Sequence, residues 1–284
     1  MQYIDAHSHY TNSKFNRDRH DILTEIHNEG VAYTIDCFGA NNMNLGLSLA
    51  KKYDFYYMCI NDWDHYGKDD LDINIDSNVY KIEKLVDETV EKLKLLRSKT
   101  EKIVAYGECW MDFRREEKTP AGVHKASFWL AKDLEVARRV GLPAVIHSGN
   151  ADYESFDVIK KIDMPDYGYG KGMMHCYLGP PKMALEYISM GYLISVTGLV
   201  THRSPRGKNL VEVVKCVPLK SMLIETDCPY LTPEPFRDKR NDSGLLRLTV
   251  EEIAKIKNVT AAEVAEITTA NAKAFFGIKK QPTN

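Results

Sequence analysis

The sequence predicts an α/β fold, a (β/α)8 barrel of the TIM type in which residues 1–284 form one domain. Short apolar stretches occur eight times along the chain, and amphipathic helical patterns separate them. This alternation is typical of parallel strands joined by helices. The length of 284 residues also suits a single barrel, which often takes about 250 residues.

The eight predicted strands are short and mostly apolar. In a barrel of parallel strands all carboxyl ends lie on one face, so polar residues at those ends are expected to meet in one pocket. The strands are predicted near residues 3–6, 31–37, 55–60, 103–109, 143–147, 172–176, 193–197 and 222–227.

Helices are predicted between the strands from periodicity and from end signals. The third, about 79–97, has apolar residues at steps of three and four. The fourth is expected to begin at Thr119-Pro120 and to end before Gly141, because proline suits a first helical turn and glycine suits the position after the last.

Capping boxes predict where the last two helices begin. Thr249 with Glu252 and Thr260 with Glu263 match the pattern, and these helices are expected to close the barrel. An irregular loop is predicted over residues 61–78 on the catalytic face, since it follows the third strand.

Composition excludes several classes of protein. A net charge of −2 argues against a protein that binds polyanions with its whole surface. No stretch approaches the roughly 20 apolar residues that span a bilayer, so no membrane association is expected. The six cysteines form no CxxC pair and no secretion signal is evident, which predicts a cytoplasmic protein with reduced thiols. The oligomeric state stays open.

Imidazole and carboxylate groups lie at the ends of five predicted strands. Such positions are typical of catalytic residues in this fold. Four neutral imidazoles and two carboxylates form a ligand set for two divalent metal ions. The predicted metal ligands are His7, His9, Glu108, His147, His175 and Asp227.

Two of these ligands are also predicted to be catalytic. A carboxylate that bridges two ions about 3.5–4 Å apart helps to hold a hydroxide between them, and Glu108 is the candidate bridge. Asp227 is expected to bind one ion and to accept the proton of the attacking water. Zinc, magnesium and manganese all suit such a mixed set.

The chain resembles the TatD family of metal-dependent hydrolases, within the amidohydrolase-like barrels. The matching stretches extend over the whole chain, and the last is the most specific. They are Asp5-Ala6-His7-Ser8-His9, Gly107-Glu108, Val145-Ile146-His147-Ser148, Met174-His175-Cys176-Tyr177-Leu178-Gly179, Ser195-Val196-Thr197-Gly198 and Glu225-Thr226-Asp227-Cys228-Pro229-Tyr230-Leu231-Thr232-Pro233.

The resemblance implies a two-metal phosphodiesterase, since members of the family are commonly described as deoxyribonucleases. It implies that one ion lies among His7, His9, Glu108 and Asp227. It implies that Glu108, together with His147 and His175, holds the other.

Three stretches depart from the family pattern. The usual Gly-x-His-Pro turn after the third strand is absent from 59–65, and the usual Gly-Leu-Asp-Tyr after Glu108 is replaced in 109–113. The typical Glu-Pro and a later histidine are missing from 242–247. The metal ligands survive all three departures, so hydrolysis is predicted more firmly than DNA as the substrate.

Cationic and aromatic residues after the strands are candidate contacts for DNA or another phosphodiester. Arginine binds phosphate through paired hydrogen bonds, and an exposed aromatic ring stacks on a base. Burial against the barrel rim or pairing with a local aspartate is the alternative. The candidates are His202, Arg203, Arg237, Arg240, Trp63 and Tyr230.

Two other functions fit the same residues. The dinuclear site would also suit hydrolysis of an amide, an ester or a lactone, including deacylation of aminoacyl-tRNA. A non-catalytic metal-binding or scaffold protein on an inherited barrel is the third interpretation.

Overall fold

Eight parallel strands form one sheet in chain order in the computed structural model, which describes residues 1–61, 75–114, 117–162, 164–166 and 170–279. The predicted (β/α)8 barrel is confirmed. The strands are β1 (Tyr3–Ser8), β2 (Val31–Gly39), β3 (Tyr56–Asn61), β4 (Ile103–Asp112), β5 (Ala144–Gly149), β6 (Gly172–His175), β7 (Tyr192–Val196) and β8 (Met222–Ile224).

Helices follow the strands and pack around them. The helices are α1 (Arg19–Asn28), α2 (Met43–Lys52), α3 (Ile75–Arg97), α4 (Pro120–Val140), α5 (Asp152–Ile159), α6 (Pro181–Ser189), α7 (Pro205–Cys216), α8 (Leu246–Lys257) and α9 (Ala261–Phe275). No helix in the described ranges combines the length and the apolar character that crossing a bilayer requires.

The segment that follows β8 closes the barrel against β1. Ser8 forms a parallel bridge with Cys228. The backbone N–H of Asp227 donates to the His7 carbonyl at 3.0 Å, and the N–H of His9 donates to the Cys228 carbonyl at 2.9 Å. The backbone that carries the first two histidines is therefore bonded directly to the backbone that carries Asp227.

The core has two parts because strand residues alternate between the two faces of the sheet. One part lies between the strands and the surrounding helices. The other fills the barrel with residues such as Ile35, Cys59 and Val145, and with Phe275 and Phe276 from the end of α9. The last helix thus contributes to the barrel core, in line with its predicted role in closure.

Most predicted helix ends are confirmed, and one is wrong. Thr119 and Thr260 cap α4 and α9 by accepting from backbone N–H groups, and Gly141 ends α4 with a left-handed φ of 73°. Thr249 caps nothing, because α8 already begins at Leu246. A 3-10 turn capped by Asp242 leads straight into that helix and leaves Thr249 buried inside it.

Helix α3 is longer than predicted. It begins at Ile75, and the apolar stripe buries Ile82 and Val86 while Val79 stays 46% exposed. The predicted loop 61–78 is therefore shorter, since Asn61 belongs to β3. Its residues 62–74 lie outside the described part of the chain.

Candidate metal centre

Three of the predicted ligands surround one point at the mouth of the barrel. Nε2 of His7 lies 3.1 Å from Nε2 of His9 and 3.4 Å from Oε1 of Glu108. Nε2 of His9 lies 3.6 Å from the same oxygen. Atoms bound at about 2.0–2.2 Å to one tetrahedral ion are separated by about 3.3–3.6 Å, so this spacing fits a common cation.

Glu108 divides its two oxygens between two groups of ligands. Oε1 faces the first two histidines, while Oε2 lies 3.4 Å from Nδ1 of His147. His175 completes the second group, and its ring stacks on that of His7 with centroids 3.6 Å apart. One carboxylate thus lies between two sets of imidazoles, which is the arrangement expected of a bridge.

Asp227 lies beside the first group. Its Oδ1 is 3.1 Å from Nε2 of His9, 3.8 Å from Nε2 of His7 and 3.9 Å from Nε2 of His175. Its backbone has a φ of 58°, a left-handed conformation that aspartate tolerates better than most residues. All six predicted ligands are therefore brought together.

The structure corrects where these residues lie on the strands. Only His175 is the last residue of its strand. Glu108 and His147 precede the ends of β4 and β5, because β4 continues to Asp112 and pairs with β5 up to Gly149. Asp227 lies three residues beyond the end of β8, in the segment that bonds to β1.

Each histidine also meets a neighbour through the ring nitrogen that points away from the centre. Nδ1 of His9 lies 2.7 Å from the Cys37 carbonyl oxygen, which can only accept, so this nitrogen carries the proton. Nδ1 of His7 lies 3.1 Å from Sγ of the same cysteine. The tautomer of His9 therefore leaves its Nε2 lone pair free for a cation.

Carboxylates orient the other two histidines. Oδ2 of Asp112 lies 3.0 Å from Nε2 of His147, and Oε1 of Glu225 lies 2.9 Å from Nδ1 of His175. These neighbours were missed from the sequence. The signal that could have identified them is strand periodicity, since Asp112 follows Glu108 by four residues and a strand returns to the same face every second residue.

Asp5, which belongs to the first motif, has a structural role. Its buried carboxylate accepts from the Thr226 backbone N–H at 2.9 Å, from the Thr226 hydroxyl at 2.5 Å and from the Ser243 hydroxyl at 2.6 Å. Burial outweighs these bonds and raises the pKa of Asp5 to about 7. The residue connects β1 to the segment that carries Asp227.

Electrostatics at the centre also favour a cation. Burial lowers the pKa of His9, but the facing carboxylates of Asp227 and Glu108 outweigh it and raise the pKa to about 10. Burial raises the pKa of Glu108 and the surrounding imidazoles hold it well below its usual value. Nδ1 of His147 is buried beside Glu108 without a hydrogen-bond partner among the described residues. This donor set fits divalent metal ions.

The predicted substrate contacts differ in how they are placed. His202 is buried, and its Nε2 donates to the Thr232 carbonyl at 2.9 Å. Arg240 pairs with Asp18 through two contacts of 2.9 and 2.7 Å, not with a neighbouring aspartate of its own loop. Arg203 and Arg237 are exposed.

The two aromatic candidates also differ. Tyr230 is 44% exposed, its hydroxyl accepts from Nδ2 of Asn12 at 3.3 Å, and the Lys14 ammonium lies 4.5 Å from its ring centroid. Trp63 lies outside the described residues. Among the candidates described, Tyr230 is therefore the accessible ring.

Comparisons with known proteins identify the family of this chain and support its fold. The metal-dependent hydrolase YabD of Bacillus subtilis, itself called uncharacterized, is 32% identical over 97% of this chain and 99% of its own length. Human deoxyribonuclease TATDN3 is 29% identical over 65% of this chain and 64% of its own length. The crystal structure of YJJV, a TatD homologue from Escherichia coli, covers 98% of both chains with a TM-score of 0.79 and 24% identity, which supports the fold. The family model of TatD related DNases matches residues 4–277, and the chain therefore belongs to this family of metal-dependent hydrolases.

Proposed function

We propose that this protein is a deoxyribonuclease that hydrolyses phosphodiester bonds with the help of two divalent metal ions. The observation that carries the proposal is the position of Glu108, whose two oxygens face two separate groups of imidazoles. The name of the human relative, a deoxyribonuclease, supports DNA as the substrate.

The ligands divide into two sets that share the bridging carboxylate. His7, His9 and Asp227 would hold one ion with Glu108, and His147 and His175 would hold the other with the same carboxylate. Zinc, magnesium and manganese are the candidate ions, because imidazole favours zinc and carboxylate favours the harder cations. When bound, such a pair supplies a hydroxide nucleophile and charge stabilisation to the reaction.

Asp227 is the candidate for handling the proton of the attacking water. Burial raises its pKa, but the neighbouring His9, His175 and His7 outweigh it and keep the carboxylate ionised. An ionised carboxylate at the mouth of the site accepts a proton during attack and returns it to the leaving oxygen.

The residues around the mouth of the barrel would bind the DNA strand. Arg203 and Arg237 are exposed after β7 and β8 and are free to contact phosphate oxygens. Tyr230 offers a partly exposed ring on which a base would stack. His202 and Arg240 already contact Thr232 and Asp18, so their contribution would be to hold this rim in shape.

The test is hydrolysis by protein that has been depleted of metal and reloaded with one ion at a time. Single-stranded DNA, RNA, an aminoacyl-tRNA, a cyclic amide and a lactone would be the substrates. We expect DNA cleavage to be restored by at least one ion. Cleavage of only the amide or the lactone would indicate that the same site acts on a different class of substrate. Failure to bind any ion would favour the non-catalytic interpretation.

An Asp227→Asn variant would separate chemistry from folding. We expect turnover to fall by about 10²–10⁴-fold, the usual contribution of a positioned base, while the circular dichroism spectrum stays unchanged. Asp238→Asn is the matched control, because Asp238 is exposed in the same segment. Wild-type rates in Asp227→Asn would disprove the assigned role.

A further inference from the structure

A polar cavity lies beside His147, on the side of the ring that faces away from Glu108. Its volume is about 120 Å³, and both Arg114 and Arg206 line it together with His147. Several water molecules fit this space, and so does a phosphate group.

Arg114 has N–H donors that remain available to a ligand in this cavity. Its Nε and Nη2 face the carboxylate of Asp112, and Nη2 also lies 2.9 Å from Nε2 of His147. No contact of Nη1 is found within the described residues, so this edge of the guanidinium is available. Asp112 and its neighbours keep the side chain in one orientation and raise its pKa, which holds the positive charge in place.

Arg206 supplies a second positive charge from another element. It lies in the first turn of α7, is exposed, and forms no ion pair within the part of the chain that is described. Two guanidinium groups from different elements beside one small cavity form a binding site for a multiply charged oxyanion. Asp152 also lines the cavity, and burial raises the pKa of its carboxyl group.

We propose that Arg114 and Arg206 form a subsite for a terminal phosphate of the substrate strand. The inference rests on the proposed phosphodiesterase function and names the class of substrate, a nucleic acid with a phosphorylated end. A terminal phosphomonoester carries a charge of about −1.5 to −2 at neutral pH, as other phosphomonoesters do, whereas an internal phosphodiester carries a single charge. An internal phosphate would also need room for a nucleoside on both sides.

His147 connects this subsite to the centre. Its Nδ1 faces Glu108, and its Nε2 faces Asp112 and Arg114. A phosphate held beside Arg114 would therefore lie one imidazole ring away from the metal ligands. With the terminal phosphate at this distance, the next phosphate of the same nucleic-acid strand would lie at the metal centre. Cleavage would therefore be favoured close to the end of that strand.

Calorimetric titration of the metal-loaded protein tests binding without turnover. The probes are deoxyadenosine 5′-monophosphate, deoxyadenosine 3′-monophosphate and deoxyadenosine. We expect one monophosphate to bind best, and Arg206→Gln to weaken it about tenfold, as for loss of one charge-assisted hydrogen bond. Lys208→Gln is the matched control, because Lys208 is exposed on the same helix and does not line the cavity. Equal binding by wild type and Arg206→Gln would overturn the subsite, since the metal ions alone would then explain the affinity.

Hydrolysis of oligonucleotides that differ only in their ends tests the consequence. We expect a 5′- or 3′-phosphate to lower KM about tenfold in wild type and in Lys208→Gln, but not in Arg206→Gln. Cleavage that ignores the end group would overturn the subsite and leave the proposed function standing. Monophosphate binding that depends on Arg206, without cleavage of any oligonucleotide, would support the subsite and refute the nuclease activity.

Discussion

Oδ2 of Asp112 lies 3.0 Å from Nε2 of His147 and so directs the other ring nitrogen toward Glu108. A carboxylate accepts and cannot donate, so this contact favours the tautomer with the proton on Nε2 and the lone pair on Nδ1. The nearby Nη2 of Arg114 can only donate, and it donates to the same carboxylate rather than to the ring. Asp112 is thus a positioning residue for a proposed metal ligand.

Asp112→Asn should weaken binding of the ion held by His147 by about 10–100-fold, because an amide no longer selects one tautomer. Metal titration by calorimetry measures the affinity. Asp157→Asn, which removes an exposed carboxylate that pairs with Lys160, is the control. If both variants bind metal as tightly as wild type, Asp112 does not orient the ring.

Metal-free protein should lose stability as the pH rises. The pKa of His9 is raised to about 10 and that of His175 to about 9, in both cases because carboxylates outweigh the effect of burial. A raised pKa contributes stability that is complete below the unfolded value of about 6.5 and is lost as the pH rises through the folded value.

Urea unfolding with a chelator present, compared at about pH 6.5 and about pH 8.5, would measure this loss. Bound metal replaces the protons, so the free energy of unfolding that zinc adds should grow over the same interval. A metal-free stability that rises with pH would contradict the proposed interaction of His9 with its carboxylates.

Tyr230→Ala should raise KM for single-stranded DNA by about 5–150-fold, since stacking on one base is worth about 1–3 kcal/mol. Tyr230→Phe keeps the ring and should behave nearly as wild type. Tyr80→Ala removes another exposed tyrosine, 83% accessible on α3, and serves as the control. Equal KM values for Tyr230→Ala and Tyr80→Ala would exclude a stacking role.

Arg240→Gln and Asp18→Asn should each destabilise the fold by up to about 1 kcal/mol and leave turnover unchanged, because the two side chains pair with each other on a partly exposed surface. A double-mutant cycle from urea unfolding would measure their interaction. Loss of DNA binding in Arg240→Gln alone, with Asp18→Asn active, would instead indicate a direct contact with substrate.

The sequence alone determined the barrel and the candidate ligands. Apolar stretches and helical patterns alternate along the whole chain, and the eight predicted strands lie close to those observed. His7, His9, Glu108, His147 and His175 could be selected because parallel strands place their carboxyl ends on one face. These are local patterns combined with one rule of topology, so they need no knowledge of individual contacts.

Only the tertiary structure decided which side chains meet. Asp18 and Arg240 are separated by 222 residues, and nothing near Arg240 in the sequence distinguishes this partner from Asp238 or Asp242. The tautomers of the histidines depend on Cys37, Asp112 and Glu225 in the same way, since each contact depends on strand register and on rotamer. The physical reason is that periodicity specifies the face of a strand, whereas packing between distant segments sets the distance and direction of each hydrogen bond.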